Sequence, residues 1–317
     1  MADSKEIEEL NKEKTSIARL SIISNLLLVI MKLVAGVMIG SVSVISEAVH
    51  SGIDLVASII AYFSVKKSGM PPDSKHAFGH GKVENLSGMI EALLIFVAAG
   101  LIIKEAYGKL THGIEMEDVS LGILVMLISA AANYYVSGRL MKTAKKTESI
   151  ALEADAWHLR TDVLTSLGIF GGLVAIKLTG ITILDPILAI LVALFILKAA
   201  FDLTIKSVSD LLDSKLPEEE EADIEAIIND HSRDCVNFHE LRTRKSGSDR
   251  FIDLHLVVSK DITVEEGHSL ADHIEKDIMS RFPRASVMIH LEPCDGNDMC
   301  KECNVRCSNN GRNNNRD

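Results

Sequence analysis

The sequence predicts an α-helical membrane bundle of six transmembrane helices with a small α+β domain behind it. Three observations predict this. First, 47% of the 317 residues are hydrophobic while 24% are charged, and the two kinds are segregated along the chain. Second, apolar runs of roughly 20 residues recur between about residue 15 and residue 210, the length a helix needs to cross ~30 Å of hydrocarbon. Third, beyond Pro217 no segment is long and apolar enough to span, and the pattern changes to short alternating strands and amphipathic helices.

The spans fall near 15–38, 41–65, 85–109, 119–141, 149–178 and 182–206, and together they define a transmembrane domain over 15–210. Only the fourth carries no charge, from Val119 to Gly138. The others contain Lys32, Glu47, Asp54, Glu91, Asp155, Arg160, Asp162, Asp185 or Lys198, so these helices must share a polar interior. A soluble bundle of unusually apolar helices is the alternative, and six such segments with very short connectors weigh against it. Lys66, Lys67, Lys75 and Lys82 flank the second connector, and Arg139, Lys142, Lys145 and Lys146 the fourth; the third holds Glu115, Glu117 and Asp118. The basic-loop rule then puts the second and fourth connectors, and both termini, in the cytoplasm. Residues 1–14 form a charge-mixed cytoplasmic segment without a signal-peptide cleavage pattern. A net charge of -11 argues against a nucleic-acid partner, which requires a basic surface.

A cytoplasmic domain is expected over 211–293, with a helix at 218–230, strands at 237–244 and 250–258, a helix at 263–281 and a strand at 286–291, an αββαβ order of ferredoxin or metallochaperone type. In the middle strand Ile252, Leu254, Leu256 and Val258 alternate with Phe251, Asp253, His255 and Val257. Ser246 to Asp249 supplies the turn, and Pro283 closes the second helix. The Cys- and Asn-rich tail 294–317 has too few apolar residues to pack and is expected to be disordered.

One internal repeat points to chemistry. Glu47-Ala-Val-His50-x-x-x-Asp54 recurs as Asp155-Ala-Trp-His158-x-x-x-Asp162 in the second and fifth spans. Each His and Asp are i,i+4 neighbours, so each pair projects from one helix face. Two such faces opposed offer two imidazoles and two carboxylates, a tetrahedral set suited to Zn2+; Mg2+ or Ca2+ would prefer more oxygen donors. One buried His–Asp pair is ordinarily an interhelical hydrogen bond. Two copies at bilayer depth, where each Asp costs ~2.5–3.5 kcal/mol, call for a compensating cation or proton. Because metal needs neutral imidazole and ionised carboxylate, protons compete for every ligand, and alternating access to such a site yields metal/proton antiport. A metalloenzyme would need an open coordination position and a base, and the H-E-x-x-H signature is absent. A membrane sensor holding a static ion is the other alternative.

Further ligand types cluster elsewhere. Asp73, His76 and His80 lie within eight residues in the second connector. In the cytoplasmic domain His239, His255, His268, His290 and Glu292 fall on elements that a small sheet would bring together, which suggests a regulatory Zn2+ site. Cys294, Cys300, Cys303 and Cys307 offer thiolates, with reduced mobile thiols as the alternative; a cytoplasmic location disfavours disulfides.

From about residue 12 to 294 the chain resembles the cation diffusion facilitator family, and most closely its bacterial ferrous-iron and zinc efflux members. The resemblance rests on Gly40-Ser-Val-Ser with the His50/Asp54 helix, Lys75-His-Ala-Phe-Gly-His-Gly-Lys82, Ala154-Asp-x-x-His158-x-x-x-Asp162, Leu241-Arg-Thr-Arg-Lys-Ser-Gly247 and Arg281-Phe-Pro. It implies a homodimer of six-helix protomers in a cell membrane, exporting a divalent transition metal through His50, Asp54, His158 and Asp162. It also implies a loop site at Asp73, His76 and His80, a binuclear site at the dimer contact using His239, His255, His268, His290 and Glu292, and a charge interlock of Lys82 with Asp213. Two departures are visible: His50 stands where some bacterial members carry Asp, which favours Zn2+ over Mn2+ while leaving Cd2+, Co2+ and Fe2+ open, and Glu292 stands where Asp is typical. A His-rich insert near 142–148 is absent, which resembles prokaryotic plasma-membrane members.

Overall fold

The computed structural model describes residues 2–39, 42–112, 120–179, 183–231 and 237–294. The chain divides into two compact units, Met1–Leu212 and Asp213–Asp317.

Six long helices make the first unit: α1 (Ala2–Ile39), α2 (Val42–Ser68), α3 (Lys82–His112), α4 (Ser120–Thr147), α5 (Ile150–Thr179) and α6 (Leu184–Leu211). Four of them are long and apolar enough to cross a membrane, over Ile7–Met38, Glu47–Ser68, Lys82–Gly108 and Pro186–Leu211. α4 and α5 are 28 and 30 residues long, and part of each lies outside the described side chains. α1 starts at Ala2 and runs unbroken into the first span, so the N-terminal segment before it is helical. Glu, Lys and Leu are good helix formers, and no Gly or Pro interrupts them before Gly36.

The bundle is built inside out. α1 packs on α2, α3 on α6, and α4 on α5, with α5 also against α6. The contact faces carry small residues, among them Ala57, Ala61, Ala92, Ala99, Ala154 and Ala200, none of them measurably exposed. Such residues let helix backbones approach closely where no hydrophobic effect drives helices together. Leu27, Val37, Leu93 and Phe201 instead point outward, each more than half exposed. A water-soluble bundle would reverse this arrangement, so the outer surface is one that suits lipid. The buried interior contains Ser21, Asn25, Lys32, Asp54, Ser58, Glu91, Asp155 and His158.

The second unit is α7 (Glu218–Asp230), β1 (Asn237–Ser246), β2 (Asp249–Val258), α8 (Val264–Arg281) and β3 (Ala285–Pro293), as expected to within two residues at each end. β1 pairs antiparallel with β2, and β2 parallel with β3, the latter through the α8 crossover. Gly247, at φ +61, closes the β1–β2 turn. Thr263 and Glu266 form a reciprocal capping box at the start of α8. Both helices cover one sheet face, burying Ile224 and Ile228 of α7 and Leu270, Ile274 and Ile278 of α8 against Ile252, Leu254 and Leu256. Among the described residues the other sheet face carries no helix. The tail from 295 onward, expected to be disordered, lies outside the described residues.

Candidate metal centres

α2 and α5 present their repeated faces to each other. One ligand atom each from His50, Asp54 and Asp162 lies within 4.8 Å of the others, a spacing that a single ion can bridge. His158 joins through Nε2, 3.0 Å from Asp54 Oδ1. Both side chains of that pair are 6% exposed. The Nδ1 of His158 is buried and has no hydrogen-bond partner among the described residues. All four residues singled out by the repeat therefore converge between the two helices, and the donor set fits a tetrahedral transition metal.

Sequence reasoning passed over the residue that holds Asp162. Asn133 of α4 donates through Nδ2 to Asp162 Oδ2 at 3.3 Å. It sits within the charge-free fourth span, where an isolated amide was the available signal. The acidic residues three positions before each His also diverge. Glu47 accepts a 2.9 Å bond from Lys32 Nζ, which also donates to Ser51 at 2.8 Å. Asp155 is wholly buried and accepts from Ser58 at 3.3 Å.

In the α2–α3 connection, Asp73 Oδ1 accepts from the backbone N–H groups of Lys75 and His76, each at 2.8 Å. These two donations lower the Asp73 carboxyl to about 2, with the His76 side chain adding to them. His76 Nδ1 lies 3.1 Å from the same oxygen, and His80 Nε2 lies 3.3 Å from Asp73 Oδ2. The second approach is not aligned as a hydrogen bond, so both nitrogens of the buried His80 lack a partner among the described residues. The three expected ligands form one group within 4.8 Å. A buried imidazole without a hydrogen-bond partner next to an ionised carboxylate is what a cation would satisfy.

In the second unit the strand register assembles the cluster. His239 is the cross-strand partner of His255, and His255 that of His290, all on the helix-free face. A bulge at Glu240, at φ +51, breaks the β1 register just after His239. Glu292 accepts from His255 Nδ1 at 2.9 Å and lies 3.2 Å from His239 Nε2. His239, His255 and Glu292 form one ligand group; His290, 65% exposed at its side chain, stands 3.9 Å from Glu292. His268 does not join them within one chain. It lies on the exposed side of α8, a helix that packs on the opposite sheet face.

The expected interlock residues each have partners within their own unit. Lys82 donates to the Leu211 carbonyl at 3.2 Å, and Asp213 accepts from Arg244 at 3.1 Å. Cys294 corrects an expectation: its sulfur is in a disulfide, its side chain is buried at the end of β3, and its amide bonds Val258, so it is not a free thiolate ligand. Cys300, Cys303 and Cys307 lie outside the described residues.

Comparison with known proteins places this geometry. Residues 18–212 match the model described as cation efflux transmembrane domain, and residues 216–294 the model described as cation efflux protein, cytoplasmic domain. A Synechocystis sp. protein described as an uncharacterized transporter is 36% identical over 84% of this chain and 86% of its own length. The cation-efflux pump FieF of Yersinia pestis is 34% identical over 84% of this chain and 89% of its own. A solved chain of CzrB in its Zn form is 38% identical, covering 27% of this chain and 96% of its own, with a TM-score of 0.25.

Proposed function

The chain belongs to the cation efflux family and is a cation efflux transporter, and on that premise we propose that it is a Zn2+/H+ antiporter working by alternating access. The observation that carries this reading is the meeting of His50, Asp54 and Asp162 within 4.8 Å, with His158 bonded to Asp54 between the two repeated helices. Two imidazoles and two carboxylates favour Zn2+; Cd2+, Co2+ and Fe2+ are the competing cargoes. In the apo site Asp54 and His158 satisfy each other. An arriving Zn2+ takes over both ligand atoms and displaces the proton that joins them. Protons entering from the far side reverse the exchange and expel the ion, if the helices open the site to each side in turn.

In this reading all six helices span the plasma membrane with both termini in the cytoplasm. Lys66 and Lys67 in the last turn of α2, and Lys145 and Lys146 in that of α4, support that orientation. Two chains associate through the cytoplasmic domains. There His239, His255, His290 and Glu292 bind Zn2+ as a regulatory ligand, with His268 reaching a shared site from a second copy. The Asp73, His76 and His80 site captures metal near the entry.

The test is Zn2+ uptake into inverted vesicles or proteoliposomes bearing a pH gradient. Uptake is expected to collapse when the gradient is dissipated, and in Asp54→Ala and Asp162→Ala. Retention of Zn2+ that ignores the gradient would instead mean binding without transport, as in a membrane sensor.

A further inference from the structure

The transport reading leaves unused a second buried acidic pair. Glu91 lies on α3 within an otherwise apolar stretch, is wholly buried, and has no hydrogen-bond partner for either carboxylate oxygen among the described residues. The charge that acts on it is Asp155 of α5, also wholly buried, whose Oδ2 likewise lacks a partner. Asp155 Oδ1 is tied to Ser58, whose hydroxyl also bonds the Asp54 carbonyl at 3.1 Å. Ser21 of α1 donates to that same hydroxyl at 3.2 Å. A hydroxyl bridge therefore connects this pair to the backbone of the metal site.

The polar track continues away from the metal. Glu84, Ser87 and Glu91 lie three and four residues apart, on one face of α3. Ser87 and Ser207 of α6 are both buried with unpartnered hydroxyls. The helices abut there: a Cβ added at Gly88 would fall 2.9 Å from Ser207 Oγ. Glu84, at the track's end, accepts from Lys14 at 2.6 Å and from Ser68 and Ser149. Thus α1 and α3 end in a compensated ion pair, while Glu91 and Asp155 have none.

Two wholly buried carboxylates with unpartnered oxygens among the described residues are each costly in hydrocarbon, and Glu91 has no imidazole or thiolate bonded to it with which to hold a transition metal. A proton on one of them removes half the charge and needs no room. We propose that Glu91, positioned by Asp155, is a proton-carrying site separate from the metal site, discharged when metal occupies His50, Asp54, His158 and Asp162. One proton leaves a Glu91 oxygen as the divalent ion arrives and returns when the ion departs. The groups facing Glu91 are Asp155 from α5, with His158 and Asp54 of α2 acting on Asp155 in turn; α6 contributes the uncharged Ser207. The proposal rests on the antiport reading, because it supplies one of the exchanged protons.

The test is an infrared difference spectrum, Zn2+-bound minus Zn2+-free, of the full-length protein, with protons released per Zn2+ read by an indicator dye in weak buffer. The wild type is expected to lose a protonated-carboxyl C=O band when Zn2+ binds. Glu91→Gln is expected to lack that band and to release about one proton fewer per protein chain when Zn2+ saturates it. It keeps the same Zn2+ stoichiometry, and Glu91→Asp restores the band. No such band in the wild type, or an unchanged band and proton count in Glu91→Gln, overturns the proposal without needing a folded second variant. If vesicle uptake follows the pH gradient in both proteins while the band persists in Glu91→Gln, the proton site fails and antiport stands. If uptake ignores the gradient while the band depends on Glu91, antiport fails and the proton site stands.

Discussion

The intramembrane site and the cytoplasmic cluster use the same donors in opposite surroundings. His158 and Asp54 are 6% exposed, whereas His239, His255 and Glu292 are 33%, 26% and 34% exposed at their side chains. Asp54 and His158 are too buried for water to take the ion's place, so there a departing ion has to be replaced by a proton or an internal hydrogen bond, whereas His50 and Asp162 are only half-buried. On the open sheet face water replaces the ion at little cost. Under the proposed reading the first arrangement would couple metal to protons and the second would follow metal concentration, with burial, more than ligand identity, setting the two apart.

The comparison can be broken or sharpened by four measurements, taken from the largest expected effect down. Lys14→Ala removes the cation paired with the fully buried Glu84 carboxylate, leaving it the Ser68 and Ser149 hydroxyls, and should destabilise the bundle by about 3–5 kcal/mol, read as a lowered melting temperature in detergent. An exposed pair such as Lys12 and Glu8 should give no comparable loss, and equal losses would undo the argument from burial. Asn133→Ala frees Asp162 and should weaken Zn2+ binding at the intramembrane site by about 10–100-fold, by competition with a chelating dye, leaving the cytoplasmic cluster unchanged.

His290→Ala should weaken Zn2+-induced compaction of the soluble region by less than about tenfold in Zn2+ concentration, since this imidazole stands at the cluster's edge. Unchanged compaction by small-angle scattering would remove His290 from the site. The smallest effect concerns pH at the loop. Asp73, lowered from 3.8 to about 2, stays ionised at neutral and mildly acidic pH. Loop Zn2+ binding should therefore fall as protons compete for the imidazoles, with no second step near 4 from Asp73. Being depressed in the fold, Asp73 contributes stability above 3.8 that is lost only as pH falls to about 2. A second step near 4 would mean that the Lys75 and His76 amides do not hold the carboxylate.

Much was legible where a short stretch of chain sets the geometry. An i,i+4 pair lies on one helix face whatever surrounds it, so the repeat alone marked His50, Asp54, His158 and Asp162. The loop triad is closed by backbone bonds within a few residues, and strand alternation put His255 opposite Leu254 and Leu256. Helix formation continues through the polar start of α1 when side-chain ends find partners there, as Lys14 does in Glu84.

Periodicity tells which face a residue occupies and leaves open what that face meets. Glu47 and Asp155 are equivalent in the repeat, yet packing gives one a lysine and the other a serine. Asn133 reaches Asp162 because α4 packs on α5, and His268 is kept from the sheet cluster because α8 covers the other face. The sequence by itself determined the helices, the strands and the ligand pairs, since these follow from local spacing. Tertiary structure alone decided which charges are neutralised and which are left without a partner, because that depends on contacts between segments up to 133 residues apart.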